Sequence, residues 1–311
     1  MKVVSYMQSV PKFAKAKGTE KELLLRYFIE GVNSNNDTGV IHKEKDILLE
    51  ADVAVIQGWV HNKFDSPHLK LRKEIIDYCR DNEKHIVSAD ANLFLYASRD
   101  NHPHHYLRYS FDGVFPNTGI YCDSNIDKTR WKKISNNLDI KIESKKTGNN
   151  ILLCCQRNGG WSMGNENLFD WITDTVQEIQ KYSDRHIVLR PHPGDKDTLA
   201  VFNAQHEQLK RLKNISISKI NSPIEEDLQN TWAVVNHNSS SIVGPIIYGY
   251  HAFITDPNSS QCAEVSHSSF EFLETPKQFD RLRWLERISM FHWSFDELRS
   301  GECWSHMKEY L

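Results

Sequence analysis

Short apolar runs alternate with amphipathic stretches along the first third of the chain. KVVSYM (2–7), ADVAVIQGW (51–59) and HIVSAD (85–90) have the apolar character of buried strands. Between them, EKELLLRYFIEGV (20–32) and PHLKLRKEIIDYCRDN (67–82) repeat apolar residues at helical spacing. Because strands that alternate with helices form parallel sheets with right-handed crossovers, this pattern predicts a Rossmann-like domain.

The same alternation starts again after a polar stretch rich in Asn and Lys, residues 132–150. Two successive halves of this kind favour an α/β protein with two facing Rossmann-like domains and parallel sheets. For the second half we predict strands at 150–156, 186–190, 215–219, 232–237 and 251–255, and helices at 167–183, 200–213, 223–231 and from 241 onward.

The chain length agrees with this division, because 311 residues exceed the usual size of a single hydrophobic core. We place a first domain at 1–147, a second at 148–280 and a C-terminal segment at 281–311. That segment carries several aromatic residues at mixed helical spacing, which is typical of a core helix or of a helix that clasps the domains together.

Composition and charge narrow the class of partner. The chain is 39% hydrophobic and 25% charged, with a formal net charge of −3 and a pI of about 6.6. Such a chain has no overall positive field that would attract nucleic acid or an anionic membrane, so a polyanion would need a local patch. Six cysteines without CxxC spacing or a secretory signal predict reduced thiols and a cytoplasmic protein without a membrane segment.

Three polar clusters follow predicted strands of the second half, and ligands of open α/β sheets bind outside the carboxyl ends of such strands. In the first cluster, QRNGGWSMG, an arginine offers a forked donor for phosphate and two glycines permit close approach of the backbone. A surface turn explains the glycine pair equally well. The candidate residues of this cluster are Gln156, Arg157, Gly159 and Gly160.

The second cluster is RPHPGDK, in which Arg190 ends a predicted strand and two prolines flank His192. The prolines restrict the backbone, so the imidazole loses little conformational freedom when it binds a ligand. A lone histidine is more often structural, but an arginine and a histidine held together at a strand end favour a binding site. Both residues are candidates for phosphate binding, and His192 is also a catalytic candidate.

The third cluster, NHNSSSIVGPIIYG, lies at a predicted junction between a strand and a helix. Hydroxyl groups and the N–H groups of a helix N-terminus form a common binding site for anions. A simple helix cap would need one serine, and this cluster has three together with a histidine and an asparagine. Its candidate residues are His237, Asn238, Ser239, Ser240 and Ser241.

Together the clusters predict a basic, hydroxyl-rich crevice for the phosphates of a nucleotide sugar. In this crevice Arg190 and His192 would neutralise the phosphate that departs when a glycosidic bond forms. The sequence lacks the GxxxxGK[ST] motif of P-loop enzymes, and no GxGxxG follows the first strand, so phosphoryl transfer and dinucleotide binding are disfavoured.

At these residues a family resemblance becomes visible. RPHPGDK, NHNSSSIVGPIIYG and the closing RWLERISMFHWSFDELRSGECW resemble the C-terminal half of capsule-polysaccharide-type glycosyltransferases, a group that includes Kdo transferases of GT-B architecture. LRYSFDGVFPNTGIYCD, RWKKI and LLCCQRNGGWSMG are similar to glycosyltransferases of large tailed bacteriophages, some of which glycosylate hydroxymethylated cytosine in their own DNA. For a phage protein, the location would be the host cytoplasm.

The resemblance implies a metal-independent GT-B enzyme that holds its donor, such as a UDP-sugar, in the C-terminal domain and its acceptor in the N-terminal one. The resemblance implies no cofactor. The absence of an evident DxD pair at a strand end agrees with metal independence. An inverting member would need a general base, for which Asp90 is the first candidate because it ends a first-domain strand. A helix cap explains Asp90 equally well, and Asp52, His61 and Asp112 are lesser candidates.

The acceptor suggested first is hydroxymethylcytosine in double-stranded DNA. KTRWKK (128–133) is a basic stretch with an aromatic residue that could contact phosphates and stack on a base, although a solvated helix face is the ordinary explanation. A target base would have to flip out of the duplex to reach the donor. The alternatives are a transferase for capsule or surface polysaccharide, a nucleotide-sugar epimerase or hydrolase, and a binding protein without catalysis.

Overall fold

A computed structural model describes most of the chain. It divides into two compact units: unit 1, Met1–Asp139 with Leu285–Leu311, and unit 2, Ile140–Trp284. Most of the predicted C-terminal segment, 281–311, belongs to unit 1 in this division. The described residues are 1–11, 17–44, 48–60, 66–95, 97–98, 106–158, 161–164, 166–194, 200, 202, 204–219 and 222–311.

Unit 1 is built on a six-stranded sheet. Its strands are β1 (Lys2–Tyr6), β2 (Thr38–His42), β3 (Val53–Gln57), β4 (His85–Asp90), β5 (Tyr106–Phe111) and β11 (His292–Ser294). Their order is β11-β5-β4-β3-β1-β2, in which β1 to β4 run parallel. Strand β5 is antiparallel to β4, and β11 is antiparallel to β5. The predicted strands β1, β3 and β4 are confirmed, whereas one end of this sheet is antiparallel.

The strands that the sequence pattern missed lie toward the two edges of this sheet. The edge strand β2 is only partly buried, so its apolar run is short, and β11 has three residues. Strand β5 carries Arg108 and Ser110, and Ser110 is buried in spite of its hydroxyl because it donates to the carbonyl oxygen of Gly113. Short or polar strands give weak periodic signals, which is why these three were not predicted.

Helices α1 (Lys17–Ser34), α2 (Pro67–Asp81) and α3 (Lys128–Asn137) belong to unit 1, together with two short C-terminal helices, Phe295–Ser300 and Glu302–Lys308. A capping box starts the first C-terminal helix, since Ser294 and Glu297 bond each other's backbone N–H groups. The turn between the two helices uses a left-handed glycine, Gly301, with φ of +86°. These helices complete the hydrophobic core of unit 1 with α1.

His292 in β11 is fully buried and uncharged. Its Nε2 accepts a hydrogen bond from the Leu93 N–H at 3.1 Å, so its Nδ1–H donates to the Ile288 carbonyl at 2.7 Å. Burial lowers the pKa of His292 to about 3, and the positive charges of Arg108 and Arg130 act in the same direction.

We expect acid to destabilise unit 1 through His292. The unfolded chain binds this proton below pH of about 6.5 and the folded chain only below about 3, so the free energy of unfolding should fall as pH drops through that window. Urea unfolding of the wild type and of His292→Gln at pH 7 and pH 4 measures the effect. The free energy of unfolding should differ less between pH 7 and pH 4 in the variant than in the wild type. An equal difference in both proteins would mean that His292 does not cause the loss of stability in acid.

Unit 2 contains a five-stranded sheet that is parallel throughout. Its strands are β6 (Asn150–Cys154), β7 (Ile187–Arg190), β8 (Ile215–Ile217), β9 (Thr231–Asn236) and β10 (His251–Ile254). They lie in the order β10-β9-β6-β7-β8. All five correspond to predicted strands, so the α/β class and the parallel sheet of this half are confirmed.

The principal helix of unit 2 is α4 (Leu168–Ile179), which Asn167 caps by accepting from the N–H groups of Phe169 and Asp170. Shorter helices occur at His206–Leu209, Ile224–Leu228 and Val243–Ile247, so the helix expected over 200–213 is short where the structure describes it. Across the described part of both units, no helix combines the length and the apolar character needed to span a bilayer.

Candidate functional site

The three polar clusters meet at one edge of unit 2. Strands β6, β7 and β9 are parallel, with β6 between the other two, so their carboxyl ends lie side by side. Strand β10 ends at the same edge, beside β9. We call this region the carboxyl edge of unit 2, and it comprises residues 155–158, 190–194, 236–241 and 255–256.

A buried amide pair joins the first and third clusters. The Gln156 Nε2 group donates to Asn238 Oδ1 at 2.7 Å, and both residues are buried. The Asn238 Nδ2 group in turn donates to the Ser162 carbonyl and to Asp256 Oδ2, each at 3.0 Å. Because these amides are committed to one another, Gln156 and Asn238 fix the loops that follow β6, β9 and β10.

A second contact joins the first cluster to the second. The Arg157 Nη2 group donates to the Gly194 carbonyl at 2.6 Å, and the Gly194 N–H donates to His192 Nδ1 at 2.9 Å. Since Nδ1 accepts, the ring proton of His192 resides on Nε2, which makes that atom a hydrogen-bond donor. A Cβ atom on Gly194 would stand 2.5 Å from Arg157 Nη2, so glycine permits this close approach.

His237 is buried behind the edge rather than exposed on it. Its Nδ1 lies 2.8 Å from Thr255 Oγ1, and the Trp171 indole N–H donates to the same hydroxyl oxygen at 2.9 Å. The Nε2 atom faces the carboxylates of Glu166 and Asp256, both at 3.8 Å. Burial lowers the pKa of His237, which the two carboxylates oppose, so the imidazole is neutral near pH 7.

Asp256 is the acid of this network. Burial alone would raise its pKa, but hydrogen bonds from Asn238 and Ser259 hold that pKa below its usual range. The carboxylate is therefore ionised at neutral pH.

The three serines have different roles. Ser239 caps the short helix that follows, because its Oγ accepts from the Ser241 N–H at 3.2 Å. The Ser241 hydroxyl bonds the thiol of Cys154, whose pKa is raised to about 12, chiefly by burial. All three serines are half-buried.

Arg190 has a partner that the sequence did not reveal. Its Nη1 group forms an ion pair with Asp227, and its Nη2 group donates to the Ser222 carbonyl at 2.7 Å. The side chains of Arg190 and Asp227 are each 12% exposed. The charge of Arg190 is thus balanced within unit 2 before any ligand binds. Its partners Asp227 and Ser222 do not belong to the first or the third cluster.

Comparison with known proteins gives likenesses of structure. No protein-family profile matches the sequence, and no curated protein matches it. Two solved structures from Thermosulfurimonas dismutans are similar: the KpsC beta Kdo 2,7 transferase, at 9% identity and a TM-score of 0.52, and the KpsC beta Kdo 2,4 transferase, at 11% and 0.53. The first likeness covers 97% of this chain and 98% of that one, and the second covers 94% and 90%.

The chain has a GT-B-like fold. The likeness spans both units, so each is a Rossmann-like unit of that fold. In unit 2 the polar clusters follow the carboxyl ends of the strands, which is where open α/β sheets bind ligands.

Several predicted residues lie outside the described part of the chain. These are Gly159 and Gly160 of the first cluster and His61 of unit 1.

Asp90 ends β4 at the carboxyl edge of the parallel strands of unit 1. Arg108 Nη2 donates to Asp90 Oδ2 at 2.5 Å, an ion pair that the sequence did not indicate. Burial would raise the pKa of Asp90, but the charge of Arg108 and its hydrogen bond hold it below the usual range. Such a pairing keeps the carboxylate ionised and makes it a weaker base.

The lesser candidates Asp52 and Asp112 lie at the opposite edge of that sheet. Asp52 immediately precedes β3 and accepts from the Lys2 N–H at 2.8 Å. Asp112 accepts from His85 and from the Ile86 N–H, both at the amino end of β4. Neither carboxylate is near the strand end that carries Asp90. Asp52 precedes the parallel strand β3, and Asp112 follows β5, which runs antiparallel to β4 and returns the chain to the other edge.

The basic stretch 128–133 is not the exposed patch that the DNA hypothesis required. Arg130 and Trp131 are each only 7% exposed. The Arg130 guanidinium bonds Glu297 at 3.2 Å and lies over the Trp293 ring, 3.6 Å from its centroid. Helical periodicity explains this division, since two of the six residues face the core while the lysines face solvent.

Sequence reasoning missed the supporting residues of the carboxyl edge. Thr255 ends a predicted strand and Asp256 follows it, so the rule that identified the other clusters could have found them. Trp171 lies inside a helix and Asp227 in a short acidic helix, where no local pattern marks them as partners of the site.

Proposed function

We propose that the protein is a glycosyltransferase that moves a sugar from a nucleotide-sugar donor to a hydroxyl acceptor. The observation that carries this proposal is the convergence of Arg157, His192 and the Ser239–Ser241 segment at the carboxyl edge of unit 2. The likeness of the whole chain to two transferases supports it.

The donor phosphates would lie against the accessible residues of this edge. Arg157 is exposed and His192 half-buried, so an anion would reach the guanidinium and the imidazole from solvent without unfolding any structure. As the bond between sugar and phosphate breaks, negative charge grows on the departing phosphate, and donors already in position stabilise it. The buried residues Gln156, His237 and Asn238 hold the loops in place.

For the acceptor we favour a glycan hydroxyl over hydroxymethylcytosine in DNA. A DNA acceptor needs several phosphate contacts, because the chain as a whole carries net negative charge. The stretch proposed to supply them has its arginine and tryptophan in the core, and Lys133 is paired with Glu297 at 2.8 Å. A neutral glycan has no such requirement.

Asp90 remains our proposed general base in unit 1. A general base works best when its pKa lies near the working pH. Because the ion pair with Arg108 lowers the pKa of Asp90, this pair has to loosen when an acceptor hydroxyl arrives. Replacing Asp90 by asparagine would remove the base and keep the side-chain size.

The decisive experiment is mass spectrometry of reaction mixtures that contain a panel of nucleotide sugars, with oligosaccharides or hydroxymethylcytosine DNA as acceptors. A glycan product that forms only with a donor supports the proposal. Modified DNA would restore the DNA hypothesis. Donor turnover at a rate independent of any acceptor would identify an epimerase or hydrolase instead.

We expect transfer to survive chelation. In the described residues, no three His, Cys, Asp or Glu side chains converge as metal ligands. Phosphate stabilisation would then come from Arg157, Arg190 and His192. The measurement is the initial rate with and without EDTA, and a complete loss that Mg²⁺ or Mn²⁺ restores would assign that role to an ion instead.

A further inference from the structure

A small polar cavity opens at the amino end of β10, at the opposite end of this strand from the carboxyl edge of unit 2. Its volume is about 30 Å³. None of its lining residues, all of which the structure describes, is Asp or Glu. Four of them are basic: His251, His267, Lys277 and Arg281.

Arg281 is held by neutral partners. Its Nη1 donates to the carbonyls of Ile246 and Ile247 at 3.0 and 3.1 Å, and its Nη2 donates to the Glu143 carbonyl at 2.9 Å. The Ile246 and Ile247 carbonyls lie at the end of the helix Val243–Ile247, so they hold the guanidinium in place, but a carbonyl has no formal charge that would neutralise it. Among the described residues, no carboxylate forms an ion pair with it.

Lys277 adds a second uncompensated charge. Its ammonium lies 5.1 Å from the centroid of the Phe272 ring, and the described residues provide no carboxylate within ion-pair distance. The Lys277 backbone N–H donates to His267 Nε2 at 3.1 Å, which fixes this loop against the cavity wall. The two cations and the imidazoles are therefore held close to one another.

His251 has an unsatisfied buried nitrogen. The residue is only 6% exposed, and its Nε2 has no hydrogen-bond partner in the described parts of the chain. Burial lowers the pKa of His251 to about 4, and the positive charges of Lys145 and His267 add to that effect. A positive local potential thus extends to the wall of the cavity.

The carboxylates close to Lys277 and Arg281 in the chain have other partners. Glu274 pairs with Arg185 at 2.9 Å, Asp280 accepts from the Arg283 N–H at 3.1 Å, and Glu143 pairs with Lys146 at 2.7 Å. None of these three carboxylates lines the cavity, so its described wall carries basic side chains and no acidic one.

We propose that this cavity is a binding site for a carboxylate-sized anion, held by Arg281 and Lys277. A water molecule needs about 10–15 Å³, so the volume suits two oxygen-sized groups rather than a nucleotide. A carboxylate brings two oxygens and one negative charge, and the fork of an arginine matches that geometry. The site is independent of the proposed transferase reaction, because it lies at the other end of β10.

The test is an NMR titration of the whole protein with sodium formate at pH 7. Formate replaces a bulky sulfonate buffer anion at a constant ionic strength of about 0.1 M, so that general screening does not change. We expect saturable shifts of the His251 and His267 ring resonances, and a rise in the pKa of His251, because a bound anion favours its charged form. The ring resonances of His186, which is half-buried at the amino end of β7, should not shift.

Two variants distinguish the site from a general salt effect. Arg281→Gln should abolish saturation, and Lys277→Gln, which alters an exposed side chain and leaves folding intact, should weaken formate binding about threefold. Lys213→Gln, at an exposed lysine outside the cavity, should leave it unchanged. Shifts that never saturate, or that are equal in the wild type and Lys277→Gln, would overturn the proposal.

Discussion

Replacing His192 by alanine should lower the rate of sugar transfer by about 10²–10³-fold, the usual cost of removing one donor that stabilises a developing anion. The Gly194 N–H holds His192 Nδ1 at 2.9 Å, so the Nε2–H is presented in a single orientation. Steady-state kinetics with the donor that the panel identifies would measure kcat and KM. The His192 N–H is needed mainly as negative charge develops on the departing phosphate, so kcat should fall more than KM rises.

The matched control is His186→Ala. His186 lies just before β7, whereas His192 lies just after it, so the two histidines belong to opposite edges of one sheet. The ring of His186 contacts only Asn214 and Ser216 in the described structure. We expect its removal to leave kcat unchanged. Equal losses in the two variants would assign the effect of His192 to folding rather than to the reaction.

Arg190→Met should destabilise unit 2 by about 3 kcal/mol, because it leaves the largely buried carboxylate of Asp227 without its partner. The same variant should weaken donor binding by about 2–4 kcal/mol if Arg190 also contacts the phosphates. Urea unfolding gives the first quantity, and the donor KM or Kd gives the second.

A double-mutant cycle separates these two roles. Arg190→Met with Asp227→Leu replaces the pair by apolar side chains of similar volume, which should restore most of the stability. Donor affinity should stay low in both variants that lack Arg190 and should be largely retained in Asp227→Leu. If all three variants bind the donor as the wild type does, Arg190 serves the fold alone.

The periodic pattern was sufficient for unit 2 and insufficient for part of unit 1. In unit 2 the central strands β6 and β9 are compact apolar runs, since a central parallel strand is covered on both faces. In unit 1 the strand β11 has three residues and pairs with β5, which is distant in the chain. Such a strand exists because of its tertiary partner, so local periodicity could not predict it.

For the candidate site, the sequence determined which loops carry polar residues. The clusters after β6, β7 and β9 could be predicted, because side chains that follow parallel strands gather at one edge. Their order across the sheet, with β6 between β7 and β9, was decided only by the tertiary structure. That order determines which contacts form, including the bond between Gln156 and Asn238, residues 82 positions apart.

What the sequence by itself could not decide is which charges are already balanced. Arg190 and Arg130 are both conspicuous in the sequence, yet Arg190 pairs with Asp227, and Arg130 pairs with Glu297, 167 residues away. At the same sheet edge, Arg157 donates to the backbone carbonyl of Gly194 at 2.6 Å. Composition and spacing determined the fold class and the strand ends, because these depend on local apolar patterns. The fate of each charge depends on a partner distant in the chain, since an ion pair forms only after folding brings the two side chains within a few ångströms and removes their water.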